Sequence, residues 1–303
     1  MPAPPDVLEA AGLRPPWRLS VLKDIPGENA SWLADGPGGE RLVLRRYHPL
    51  ATEPDLAYEH AVLRHLDRAG WTVPAPAGEL IRAGGLWYCL TRYVPGAAVA
   101  PESAAQRTRR GRDLARLHAA LHGLGGQLGQ RPGWRAQHQG VTVHTELDWD
   151  ACLAGLSAVS PRLGHWAAAA AARATSDLAA IGAAELPAEI VHGDFAEWNV
   201  HYTRRPALAG VIDFELTHLD SRPYELAIAR TYRAPEAVAG YQAETAALGW
   251  PLTALEQAAI GPVYRAFRVD MAAWAMHCGL VTGTYDLAMI ERQLARSGAA
   301  PPR

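Results

Sequence analysis

The chain has 303 residues, 49% of them hydrophobic, enough for one large domain or two modest ones with a packed core. Its 29 Lys and Arg nearly balance its 31 Asp and Glu, which argues against a general binder of nucleic acid or of anionic membranes. No window approaches the roughly 20 apolar residues that span a bilayer. "MPAPPDVLEA" has neither the basic segment nor the apolar core of a signal peptide, and Cys89, Cys152 and Cys278 lie far apart without CxxC spacing, so a cytoplasmic protein with reduced core cysteines is expected.

The first ninety or so residues read mostly as strands. "ASWLA" (Ala30 to Ala34) and "RLVLRRY" (Arg41 to Tyr47) flank the Gly-rich turn "DGPGG" and predict a hairpin. A helix follows Pro54 and is ended by Gly70. "GELIRAGGLWYCLTRYV" (Gly78 to Val94) reads as a second hairpin across Gly84-Gly85, and "VPG" (Val94 to Gly96) as a connector. Beyond it "AAQRTRRGRDLARLHAALHGLG" is helical, with Leu114, Leu117 and Leu121 on one face. Further helices are predicted around residues 150–182, with the alanine run Ala167 to Ala172 inside, and around 224–247 and 253–297. Short strands, "EIV" (Glu189 to Val191) and "LAGVIDF" (Leu208 to Phe214), lie between them. The pattern predicts an α+β protein with a small strand-rich lobe, residues 1–93, and a larger, mostly helical lobe, residues 94–303.

Chemistry enters with a charge on an apolar stripe. Leu56, Glu59, Leu63 and Leu66 follow spacings of three, four and three, which puts Glu59 among the residues facing the core, where a carboxylate is costly unless paired. Arg45, which shares a strand face with Val43 and Tyr47, can supply the cation. The alternative places Glu59 at the helix edge and Arg45 in solvent. The stretch "VHGDFAEWNV" (Val191 to Val200) then places His192, Asp194 and Asn199 in the spacing H-x-D-x-x-x-x-N, and "VIDFE" brings Asp213 fourteen positions later (213 − 199) at the end of an apolar strand. In phosphoryl transfer the Asp of such an H-x-D takes the proton of the attacking hydroxyl, while the Asn and the later Asp hold the metal ions that neutralise phosphate charge. Either motif alone is weak. The two in order, downstream of a strand cation and a helix carboxylate, form a composite signal.

On these residues the chain resembles the aminoglycoside phosphotransferase and choline kinase-like family. "HGDFAEWN" is similar to its catalytic loop, "VIDFE" to its metal motif and "LARLHAAL" (Leu114 to Leu121) to the helix before them, over a stretch from about Gly27 to Ala229. The resemblance implies a protein-kinase-like fold, with an antiparallel-sheet lobe, a helical lobe and the nucleotide cleft between. It implies ATP and Mg²⁺ as cofactors and transfer of the γ-phosphoryl group to a hydroxyl of a small molecule. It also implies Asp194 as the catalytic base, Asn199 and Asp213 as metal ligands, Arg45 with Glu59 gripping phosphate, Asn29 and Ser31 donating to phosphates, and the segment around Thr91 and Tyr93 meeting adenine. Three departures stand out: Arg45 where the family often has Lys, no G-x-G-x-x-G in "PGENASWLA", and Glu225 in "PYELA" where the family frequently has Asp.

His118 reads as a hydrogen-bonded core histidine, His192 as a brace for the catalytic loop and Gly193 as a backbone requirement. The triplet "APE" (Ala234 to Glu236) is read as chance, because the preceding "PYELAIARTYR" is helical and leaves no mobile activation loop for a peptide. Glu197, Glu215, Asp220, Glu146, Asp148 and Asp150 either face a cationic or polyhydroxylated acceptor or are plain solvated surface, and Trp134, Trp149 and Trp198 either wall such an acceptor or pack. The acceptor is expected to be an aminoglycoside-like antibiotic or a related metabolite. The alternatives are a metabolic kinase of homoserine, choline or methylthioribose type and a catalytically silent nucleotide-binding protein. The sequence leaves the oligomeric state open.

Overall fold

The strand-rich start folds into a five-stranded antiparallel sheet in the computed structural model, which describes residues 5–24, 29–204, 207–231 and 234–300. After a short helix α1 (Pro5–Ala10) come β1 (Arg18–Asp24), β2 (Ala30–Asp35) and β3 (Arg41–Arg46), then α2 (Glu53–Arg68), β4 (Ile81–Ala83) and β5 (Leu86–Arg92), with the strands ordered β1-β2-β3-β5-β4. Two of these elements, α1 and β1, carried too little pattern to be read from the sequence. The "PGE" of the proposed phosphate-donor segment lies outside the described residues. Thr52 caps α2 by accepting the N–H of Asp55, and Pro54 sits in its first turn, where a missing N–H costs nothing. Helix α2 buries Leu56, Glu59, Val62, Leu63 and Leu66, so the predicted apolar stripe holds with its carboxylate included.

The helical part begins with α3 (Ala104–Leu121), whose Ser103 and Gln106 close a capping box, followed by α4 (Gly125–Leu128), α5 (Trp149–Val159), α6 (Pro161–Ala180) and β6 (Ala188–Val191). A hairpin of β7 (Val200–Tyr202) and β8 (Leu208–Val211) comes next, then β9 (His218–Ser221), α7 (Arg222–Thr231), α8 (Pro235–Ala247), α9 (Ala254–Thr282) and α10 (Leu287–Arg296). "LAGVIDF" is therefore strand only to Val211. The core joins α5, α6, α7, α9 and α10 through Leu156, Trp166, Ile228, Met276 and Leu294. Cys89 and Cys152 are buried and free, but Cys278 is exposed on α9, contrary to the expectation of three core cysteines. Among the described residues no helix is long and apolar enough to cross a membrane.

Contacts divide the chain into two compact units: Met1–Ala100 with Glu197–Glu215, and Pro101–Ala196 with Leu216–Arg303. Where the linear reading set one boundary at residue 93, the segment carrying Asn199 and Asp213 packs with the first hundred residues. The β7–β8 hairpin is held there by Ala97, which exchanges hydrogen bonds with Tyr202 (3.2 and 2.9 Å), and by the Val211 N–H on the Thr72 carbonyl (3.1 Å). Gly210 makes this contact possible, since a Cβ there would lie 2.4 Å from Val94 and 2.5 Å from the Thr72 oxygen.

Candidate active site

In the first unit, Arg45 is the hub. β3 pairs it with Ser31 on β2 and Cys89 on β5, and its guanidinium is buried. Nη1 lies 3.8 Å from Glu59 Oε1, and Nη2 donates to Asp213 Oδ1 at 3.0 Å and to Glu215 Oε2 at 3.3 Å. The guanidinium carbon stands 5.3 Å from the centre of the Tyr47 ring, and the Tyr47 hydroxyl is 2.7 Å from His60 Nε2. Burial works against the charge of Arg45, but Glu59, Asp213 and Glu215 outweigh it and hold its pKa above the ordinary arginine value. Arg45 is thus paired and not solvated, which decides between the two readings of Glu59.

Asp213 is the only non-glycine residue with positive φ (67°) among those described, a backbone strain of about 1–3 kcal/mol. Strain of this kind persists where the surroundings over-determine a side chain's direction. Asn199 is buried in a one-turn 3-10 segment, Glu197–Asn199, and its carbonyl accepts the Ile212 N–H at 2.9 Å, so the Asn is fastened next to the turn that carries Asp213. Glu215, read from the sequence as either facing the acceptor or solvated surface, lies beside Arg45, where Asn29 Nδ2 also donates to it. Burial and the neighbouring Asp213 push its carboxyl up to about 7 despite Arg45.

The remaining sequence-predicted nucleotide residues are placed differently. Ser31 is half-buried in β2. Thr91 is buried in β5, with its hydroxyl donating to the Val43 carbonyl at 3.2 Å and its backbone flanked by β3 on one side and Pro76 on the other. Its side chain is a sheet contact, and Tyr93 and Val94 are the first residues beyond the strand. Tyr93 carries the Arg41 guanidinium 4.0 Å above its ring.

In the second unit the loop from His192 to Ala196 follows β6. Gly193 has φ +90°, and a Cβ there would stand 2.2 Å from the Leu216 carbonyl oxygen, so no other residue fits. Glu225, fully buried on α7, accepts the N–H groups of Gly193 (3.0 Å) and Phe195 (3.1 Å). Arg110 on α3, itself paired with buried Glu102, donates to the Phe195 carbonyl at 2.8 Å. His192 Nδ1 accepts the Asp194 N–H at 3.2 Å, leaving the half-buried Asp194 carboxylate on a loop clamped from three sides. Burial alone would raise the pKa of Glu225, yet His118, His192 and the Gly193 N–H together bring it below the ordinary carboxylate value. The Glu225 departure now has a role: its two oxygens divide between two N–H groups of one turn. Neither Glu225 nor Arg110 was read from the sequence as part of the site. The available signal was a carboxylate inside the apolar run "ELAIA", the same signal that exposed Glu59.

The other acidic residues do not form one wall. Asp148 caps α5, and Asp220 is buried, accepting the N–H groups of Gln137 (2.7 Å) and Ser221 (2.6 Å). Trp134 is buried, Trp149 packs against the core, and Trp198 is exposed. His118 bonds the Tyr241 hydroxyl at 2.8 Å, as expected of a core histidine. Glu236 of "APE" pairs with Arg107 (2.8 and 2.9 Å) at the start of α8.

Among the described residues no group of three or more His, Cys, Asp or Glu side chains is arranged to hold a metal. The donor chemistry in the first unit nonetheless fits a hard divalent cation: two carboxylates, Asp213 and Glu215, crowd one guanidinium, and Glu215 responds by holding its proton up to about pH 7.

Residues 22–260 match the phosphotransferase enzyme family, so the chain belongs to that family, and it is a small-molecule kinase with a protein-kinase-like fold. It is 27% identical over 297 residues to the homoserine kinase of Phenylobacterium zucineum (strain HLK1), covering 90% of this chain and 86% of that protein. It is 26% identical over 274 residues to the homoserine kinase of Azorhizobium caulinodans, covering 82% and 78%. Amicoumacin kinase hAmiN, solved in complex with AMP-PNP, Ca²⁺ and Ami, has the same fold, with a TM-score of 0.67 at 15% identity over 98% of this chain and 93% of that one.

Proposed function

We propose that this kinase moves the γ-phosphoryl group of ATP, with Mg²⁺, to the hydroxyl of homoserine or a closely similar small amino alcohol in the cytoplasm. The observation that carries the phosphotransferase chemistry is the shared guanidinium of Arg45, which gathers Glu59, Asp213 and Glu215 around one cation. The acceptor rests on the homoserine kinase relatives, which span most of the chain.

In this reading residues 1–93 bind the nucleotide and residues 94–303 carry the acceptor, with Asn199 and Asp213 contributed to the metal. Asp194 orients the acceptor hydroxyl and takes its proton as the new O–P bond forms and the bond to the leaving ADP breaks. Glu225, Arg110 and His192 fix the loop that aims Asp194. Asn199, Asp213 and Glu215 would hold the divalent ion, which supplies charge neutralisation on the phosphate oxygens. Arg45, kept in place by Glu59, turns part of its fork to phosphate, while Asn29 and Ser31 donate to it and the segment at Thr91 and Tyr93 receives adenine.

A coupled ADP assay on the purified chain, run over homoserine, choline, methylthioribose and an aminoglycoside, tests the proposal. Homoserine is expected to consume ATP fastest. Turnover with the aminoglycoside alone would assign the chain to antibiotic modification, and ATP binding without turnover of any acceptor would make it a silent nucleotide-binding protein.

A further inference from the structure

Arg45 is fastened by one corner of its guanidinium. Both hydrogen bonds that the side chain makes among the described residues, to Asp213 (3.0 Å) and Glu215 (3.3 Å), leave from Nη2. Nη1 stands 3.8 Å from Glu59 Oε1, beyond hydrogen-bonding reach, and Nε is buried with no acceptor among the described residues. Bonds from a single nitrogen pin that corner of the fork and leave the tilt of its plane to other contacts. A lysine ammonium in this place has no plane to set, but a guanidinium does.

The contact that remains is the Tyr47 ring. Tyr47 follows β3 directly, and its N–H on the Trp87 carbonyl (2.9 Å) continues the strand, so its side chain shares the Arg45 face of the sheet. The guanidinium carbon lies over the ring, 5.3 Å from its centre, within the range of a cation–π contact. The ring packs with Leu56 and Cys89, and its hydroxyl lies 2.7 Å from His60 Nε2. Glu59 and His60 are consecutive residues of α2, so one helix carries both the counter-ion of Arg45 and the anchor of the ring beneath it. Burial, with Arg64 and Arg45 nearby, holds His60 down to about 4, so the anchor adds no second positive charge at neutral pH. Exposure gives the cluster a direction. Glu59, Tyr47 and His60 are 1%, 2% and 3% exposed, whereas the side chains of Asp213 and Glu215 are 34% and 40% exposed. Ring and helix close one side of the guanidinium, and its Nη2 corner meets the carboxylates of the open side.

We propose that Tyr47, anchored by His60, is a positioning residue: it holds the plane of the Arg45 guanidinium so that Nη2 passes from the two carboxylates to the β- and γ-phosphates of the bound nucleotide. The role rests on the phosphotransferase reading above and supplies what an arginine needs where the family often has lysine.

The test measures binding of AMP-PNP with Mg²⁺ to the full chain by calorimetry, with AMP, which lacks the β- and γ-phosphates, as the control. Tyr47→Leu removes the ring and should weaken AMP-PNP about tenfold, in keeping with a partly desolvated cation–π contact, while AMP keeps its affinity. Tyr47→Phe keeps the ring and loses the anchor, as His60→Leu does from the other side, so each should weaken AMP-PNP about threefold. The double variant should lose no more than either single one, because both remove the same hydrogen bond. Equal weakening of AMP-PNP and AMP would reduce Tyr47 to a structural residue. AMP-PNP affinity that Tyr47→Leu leaves intact would overturn the role while leaving the kinase standing. Wild-type protein that binds no AMP-PNP would sink the phosphotransferase reading, and this role with it. If Tyr47→Leu does not fold, Tyr47→Phe and His60→Leu must still weaken AMP-PNP and spare AMP, and unchanged affinity in both overturns the proposal.

Discussion

Around Arg45 three carboxylates, those of Glu59, Asp213 and Glu215, share one guanidinium, whereas in the second unit the one carboxylate of Glu225 is divided between two backbone N–H groups and Arg110 takes the carbonyl of the same turn. Both arrangements bury charge, but they leave it in different states. In the first unit negative charge exceeds positive, and the Glu215 pKa near 7 records the shortage. In the second, His118, His192 and the fixed N–H of Gly193 overcome the cost of burying Glu225, and its pKa falls below the ordinary value. An under-neutralised cluster is suited to gaining ions, and a satisfied one to holding a loop still.

The contrast makes opposite demands on substitutions. The largest effect should come from Asp194→Ala, which removes the proposed base from a loop that Glu225, Arg110 and His192 hold through its backbone. Phosphorylation should fall by roughly 10²–10⁴, with the melting midpoint moving by no more than about 0.5 kcal/mol of stability allows. Turnover that survives this change would remove Asp194 from the mechanism. Arg45→Met should do the reverse. It strands the buried Glu59 beside two further carboxylates and is expected to lose about 3–5 kcal/mol in urea unfolding, whereas Arg45→Lys keeps a cation and should lose less. A stable Arg45→Met protein would mean the cluster is not held by its cation.

Glu225→Gln probes the clamp itself. The amide keeps one acceptor oxygen and loses the other, so about 2 kcal/mol of stability and about tenfold in kcat should disappear. Loss of stability with kcat intact would show that the clamp is structural only. The last effect concerns pH. Asp270, raised to about 7 by burial and Asp220, keeps its proton in the folded protein over a range where the unfolded chain has released it. The folded state therefore binds more protons between about pH 4 and pH 7, and this group's contribution to stability falls as pH rises through that window. Urea midpoints of the wild type, measured relative to Asp270→Asn, should decline from about pH 4 to about pH 7 and level off above. A flat difference would contradict the buried, under-paired state of Asp270.

Much of this site was legible in the sequence where the signal was local. The stripe of α2 announced a buried carboxylate at Glu59, the spacing of His192, Asp194 and Asn199 announced a loop, and Gly193 its turn. The same reading left Glu215 between an acceptor-facing role and plain surface and gave no role to Arg110, because neither position differs locally from an ordinary charged residue. The strand expected to run to Phe214 stops at Val211, since Asp213 takes a left-handed backbone that no residue pattern signals in an aspartate.

By itself, the sequence determined most of the helices and strands, their order and the candidate residue types, because helix and strand periods, caps and motif spacings depend on neighbours within a few positions. Only the tertiary structure decided the partners: Asp213 meets Arg45 across 168 positions, Glu225 meets Gly193 across 32, and Arg110 meets Phe195 across 85. Ion pairs and hydrogen bonds act over a few ångströms of space, and the burial that sets their strength exists only once distant segments have packed against one another.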